Sequence, residues 1–124
     1  MKRSFNCPVL NFKLDIYYTS QKNMANILDI ENGFERAYSC VGSRTDCSYS
    51  LWISPDLTLE EFERNWFMHE LNHIFNFVFE RSDIKPDLSN DELESYYKQY
   101  VYSKILNILE EMKNEYKRNV KKKT

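Results

Sequence analysis

Ten residues, Trp66-Phe67-Met68-His69-Glu70-Leu71-Asn72-His73-Ile74-Phe75, constrain this chain more than any others. They contain the pattern His-Glu-x-x-His, and it uses both histidines of the protein. Residues four apart on a helix stand one above the other on a common face. Two imidazoles so related address a single point, as a metal ion requires. Glu70 projects from the flank, where its carboxylate reaches a water at that metal. The chemistry implied is zinc, with His69 and His73 as nitrogen ligands and Glu70 as the base that takes a proton. The competing reading is a pair of satisfied core histidines. Five-residue patterns do arise by chance, but chance rarely gathers every histidine of a chain into one.

The surrounding periodicity is helical. Phe67, Leu71, Ile74, Phe75 and Val78 make a broad apolar stripe, and Phe62, Trp66 and Phe77 extend it toward the histidine side. One helix is expected from about 59 to 80, apolar on nearly all sides and carrying both histidines into the interior. Unpartnered buried imidazoles are costly; a metal would satisfy one nitrogen of each. Thr58 and Glu61 have capping-box spacing, and Glu60 and Glu61 suit a helix N-terminus.

Before that helix the period is two. Leu10, Phe12, Leu14 and Ile16 alternate with Asn11, Lys13 and Asp15, which predicts a strand over 9–17 with one buried face. Met24, Ile27 and Leu28 suggest a short helical turn, and Asn32-Gly33 a reversal. Residues 34–41 read as a second strand, Gly42-Ser43 as another reversal, and 47–53 as a third strand with Cys47, Tyr49, Leu51 and Ile53 on one face. After a break at 81–89 containing Pro86, a second long helix is expected from about Asn90. Leu93, Tyr96, Tyr97, Tyr100, Val101, Ile105, Ile108, Leu109 and Met112 recur along it at spacings of three and four. The fold class expected is α+β: a small, mostly antiparallel sheet, then a buried active-site helix and a second long helix.

Length and composition exclude several classes. A chain of 124 residues is expected to form one domain, and 42% apolar with 15% aromatic residues is a globular composition. No apolar run approaches the roughly 20 residues of a membrane span, and no apolar block follows Lys2-Arg3, so the expected compartment is the cytosol. Cys7, Cys40 and Cys47 show no paired spacing, which argues against both disulfides and a structural zinc knuckle. Residues 113–124 hold six basic residues and one acid, leaving a body with 11 basic and 18 acidic residues. An acidic body is a poor nucleic-acid surface, and the basic end reads as a frayed, solvated tail.

A catalytic zinc keeps three protein ligands and an open position. HExxHxxGxxH is excluded by Asn76 and Phe79. The acids Asp91, Glu92 and Glu94 are the best remaining source of a third ligand. Glu92, in the first turn of the second helix, shares a side with Tyr96. Ser89-Asn90-Asp91-Glu92 is also a capping box, so the spacing leaves Glu92 open between ligand and cap.

The stretch Leu51–Glu61, then His69-Glu70-Leu71-Asn72-His73, then Asp91-Glu92-Leu93-Glu94-Ser95-Tyr96, resembles small zincin-like metallopeptidases of phages and prophages. The likeness covers about residues 47–109, and HExxH is its sharp motif. It implies a zinc peptidase acting on a peptide or protein in the cytoplasm of a bacterial host. His69 and His73 would be ligands, Glu70 the general base, and Glu92, aligned through Tyr96, the third ligand. Tyr96 is also a candidate donor to the developing oxyanion, against the alternative of a packed core tyrosine. An edge strand, with 47–53 the candidate, would hold an extended substrate. Asn72, Ile74 and Tyr97-Lys98-Gln99 depart from the family pattern and bear on substrate choice. The rivals are a zinc-stabilised binding protein without turnover, acting on a host or phage partner, and a metal-free helical interaction module.

Overall fold

The computed structural model describes residues 1–28, 39–45, 47–85, 87 and 91–123. The fold is α+β, a four-stranded sheet and four helices among these residues, in the order β1 (Lys2–Cys7), β2 (Phe12–Tyr18), α1 (Gln21–Leu28), β3 (Ser39–Thr45), β4 (Ser48–Ile53), α2 (Leu59–Asn65), α3 (Phe67–Arg81) and α4 (Asp91–Lys123). The expected Asn32-Gly33 turn, the first part of the expected 34–41 strand, and the Pro86 and Ser89 features lie outside the described residues.

The strands lie in the order β1-β2-β4-β3. The two outer pairings are antiparallel, and the central one, β2 with β4, is parallel. Strand 47–53, expected as an edge, is therefore internal; β3 lies at the edge on its side. The alternation read from the sequence survives. Phe12, Leu14, Ile16 and Tyr18 of β2 meet Tyr49, Leu51 and Ile53 of β4 in the main core. The opposite face holds a smaller cluster of Tyr17, Trp52 and Met24, the last from α1.

Three boundaries differ from expectation. Leu10 and Asn11 do not extend β2: both adopt positive φ, 60° and 49°, in the turn from β1. Arg81 donates to the carbonyls of both, so the last turn of α3 holds this left-handed turn in place. Gly42-Ser43 is no reversal either. Strand β3 runs through it, with an irregularity between Ser43 and Thr45, and Gly42 has no positive φ that would call for glycine. The single helix expected over 59–80 is two helices that meet at Trp66, whose φ of −128° and ψ of −22° leave the helical region.

The capping box is present: Thr58 Oγ1 accepts from the Glu61 amide at 3.1 Å and donates to its carboxylate. Helix α4 is unbroken to Lys123, so the basic end expected to fray is helical. At 33 residues α4 is roughly 50 Å long. Val101, Ile105, Leu109 and Met112 form its fully buried stripe. Lys113, itself buried, bonds Glu63 of α2 and Glu110 at 2.8 Å each, and Arg3 of β1 pairs with Glu115. The acids of α2 thus anchor the first part of the basic segment.

Ile105 has no solvent exposure and sits in the middle of that stripe. Ile105→Ala is expected to cost about 2–5 kcal/mol, measured by urea unfolding followed by circular dichroism, with an unchanged m-value.

Candidate metal centre

Helix α3 buries Phe67, Leu71, Ile74, Phe75, Val78 and Phe79 in the main core, stacks Phe77 on Tyr49 of β4, and meets α4 through Phe67, Phe75 and Phe79. Tyr102 stacks on Phe67 with centroids 5.3 Å apart, and Tyr97 meets Phe75 and Phe79 at 6.1 and 5.7 Å. These contacts fix the rotation of α3. Met68, His69, Asn72, His73 and Asn76 are left on the outer side. Both histidines are exposed, His69 with 61% of its side chain accessible, and this corrects the expectation of buried imidazoles. Glu70 takes the interior place instead, at 3% exposure.

The imidazoles converge. Their Nε2 atoms are 3.2 Å apart, with ring centroids at 4.8 Å and planes at 85°. Two nitrogens that share a tetrahedral zinc at about 2.0–2.1 Å stand about 3.3–3.4 Å apart. The observed separation therefore fits a common ion as well as a hydrogen bond between the rings. Exposed imidazoles can bond to water, so burial does not force them together. Glu70 Oε1 lies 3.7 Å from His69 Nε2, and ligand atoms of His69, Glu70 and His73 all lie within 4.8 Å of one another. Two imidazole nitrogens are two of the three protein ligands that a catalytic zinc keeps, and among the described residues the one acid grouped with them is Glu70.

Glu70 Oε2 is buried without a hydrogen-bond partner. Burial pushes the Glu70 carboxyl above its ordinary value; His69 and the Ser39 hydroxyl of β3 pull the other way. Ser39 is turned toward this carboxylate, yet neither its Oγ nor Oε2 closes a hydrogen bond. A buried, incompletely satisfied acid beside two convergent imidazoles costs stability. Such groups concentrate at functional sites.

The other expected site residues lie elsewhere. Glu92 is exposed and is not part of the cluster. Its neighbours Leu93 and Glu94 line an apolar cavity of about 360 Å³ with Val9, Leu10, Phe79, Ile84 and Tyr97. Phe79 is six residues beyond His73, roughly 9 Å along the axis of α3. Tyr96, weighed as an oxyanion donor or a core tyrosine, takes neither place and is 70% exposed. The cause is the phase of α4. Tyr97, Val101 and Ile105 face inward at intervals of four, which turns Glu92 and Tyr96 outward. Among the cysteines, Cys7 is buried, Cys40 partly so and Cys47 exposed, all three with free thiols.

Two residues near the site were not anticipated in these roles. Ser39 reaches Glu70 only through the pairing of β3 with β4, which local sequence does not encode. Trp66 stands perpendicular to His69, at 88° and 6.5 Å between centroids. Its spacing of three from His69 was visible in the sequence. No family model matches the chain, and neither the curated proteins nor the solved structures contain a match.

The Glu70 environment sets a sign for stability against pH. In the folded metal-free protein its carboxyl resists ionisation, so its effect on stability is neutral below the ordinary value of 4.5. It becomes adverse as pH rises from there through the raised folded value. Glu70→Gln should therefore be more stable than the parent at pH 7, by about 1–3 kcal/mol. The difference should narrow toward pH 4, as read by thermal melts with a chelator present.

Proposed function

We propose that this protein is a zinc-dependent hydrolase of peptide bonds, with the ion held by His69 and His73 and with Glu70 as general base. The observation that carries the reading is the pair of Nε2 atoms 3.2 Å apart beside a buried carboxylate with one unpartnered oxygen. A zinc ion there would supply Lewis acidity, polarising a carbonyl and lowering the pKa of water toward 7.

The residues of the chain do the rest. Glu70 Oε1, on the histidine side, accepts the proton of the attacking water and returns it to the leaving amine. Burial raises its affinity for a proton, the direction that such an exchange requires. Strand β3 packs against α3 and carries Ser39 beside Glu70. Among the described residues no strand pairs with its outer side. An extended peptide added along β3 would bring its backbone past Glu70 by strand addition. This substrate strand replaces 47–53, which is internal.

The exposure of His69 favours one second reading, a zinc-bearing binding surface with no turnover. The two differ in what Glu70 does. No helix among the described residues is long and apolar enough to cross a membrane.

Purified protein is expected to carry or take up one zinc per chain, and His69→Ala to lose it, by elemental analysis after dialysis. Retention of full zinc by His69→Ala removes the site. Glu70→Gln should keep the metal while cleavage of a quenched-fluorescence peptide library falls 10²–10⁴-fold. Unchanged cleavage removes the peptidase mechanism, and wild-type protein that binds zinc but cleaves nothing favours the binding surface.

A further inference from the structure

We infer that Trp66 is a positioning residue for the metal centre: its indole holds His69 in the rotamer that meets His73. The inference rests on the metal site proposed above and adds to it a residue outside the HExxH pattern.

With 61% of its side chain in water, His69 has little packing of its own to select one rotamer. His73 is exposed as well. Two exposed imidazoles on consecutive turns would ordinarily exchange among several rotamer combinations, of which few bring both Nε2 atoms together. Yet the rings converge. Trp66 is the partly buried group that packs on the core at one side and meets His69 at the other. Rings 66, 69 and 73 form a ladder of perpendicular contacts at 88° and 85°. Edge-to-face pairs with centroids 4.5–7 Å apart are attractive beyond their buried area.

The backbone supports the same role. Trp66 is the joint between α2 and α3, with its amide bonded to the Phe62 carbonyl at 2.9 Å and its own carbonyl accepting from the Glu70 amide at 3.0 Å. The non-helical φ and ψ at this residue place the indole one turn before His69, at the mouth of α3. One residue thus starts the helix that carries the site and braces its first ligand.

If His69 is free to populate several rotamers, apparent metal affinity falls by the fraction in the competent one. With three χ1 wells and a broad χ2, that loss is about 3- to 10-fold. The test is zinc affinity by competition with a chromophoric chelator, for wild type, Trp66→Phe and Trp66→Leu. Phe keeps a ring edge for His69, and Leu keeps apolar bulk at the joint without a ring. Trp66→Phe should stay within about twofold of wild type, and Trp66→Leu should bind about 3- to 10-fold more weakly with an unchanged far-ultraviolet spectrum. A second readout needs no activity: Co²⁺ should quench part of the wild-type tryptophan emission and much less of the emission in Trp66→Phe, where Trp52 alone remains. Equal affinity in wild type and Trp66→Leu, or weakening of Trp66→Phe to the level of Leu, overturns the positioning role while leaving the metal site standing. Wild-type protein that takes no metal at all overturns both.

Discussion

The rotation of α3 about its own axis decides what this protein presents to solvent. That rotation is set by burial of Phe67, Leu71, Ile74, Phe75, Val78 and Phe79 in the main core, the aromatic ones against Tyr97 and Tyr102 of α4. Each is a fully or nearly fully buried side chain, worth about 1.5–3 kcal/mol of transfer energy. Turning the helix by one residue would expose several of them, so the register is strongly held. Its consequence is that two imidazoles point outward while the acid between them in sequence points inward. The chemistry proposed for the site needs that separation, since accessible nitrogens and a desolvated base have opposite solvent requirements.

Much of this was legible in the sequence, and the parts that were not have identifiable causes. The strands β2 and β4 announced their inward faces by alternation, and Thr58 announced the start of α2. Strand β1 was not legible because only Phe5 and Cys7 of its six residues face the main core, too few to stand out beside Lys2 and Arg3. The parallel pairing of β2 with β4 depends on a connection of some thirty residues and on global topology. The break at Trp66 involves neither glycine nor proline, so no local signal marks it.

Phase keeps Glu92, the expected third ligand, out of the cluster. Tyr96 and Tyr97 are adjacent and identical, and either could have begun the buried stripe of α4. The sequence did hold the deciding information further along. From Tyr97 the steps of four reach Val101, Ile105 and Leu109, whereas from Tyr96 they reach Tyr100, Lys104 and Ile108. Only the first series is fully apolar beyond its tyrosine, and it is the one buried. Glu92 follows Tyr96 outward. The motif itself was legible because i, i+4 spacing is a local property, whereas the inward turn of Glu70 depends on where β3 lies.

The contact between Arg81 and the left-handed turn at Leu10 and Asn11 joins the end of α3 to the turn between β1 and β2. A guanidinium at the close of α3 supplies donors to two carbonyls that a turn of this hand would otherwise leave to water. The N-terminal hairpin is thereby tied to the end of the histidine-bearing helix. Amides of β1 and of the later turns of α3 would exchange their hydrogens together, as members of a single foldon, although some seventy residues of chain separate them.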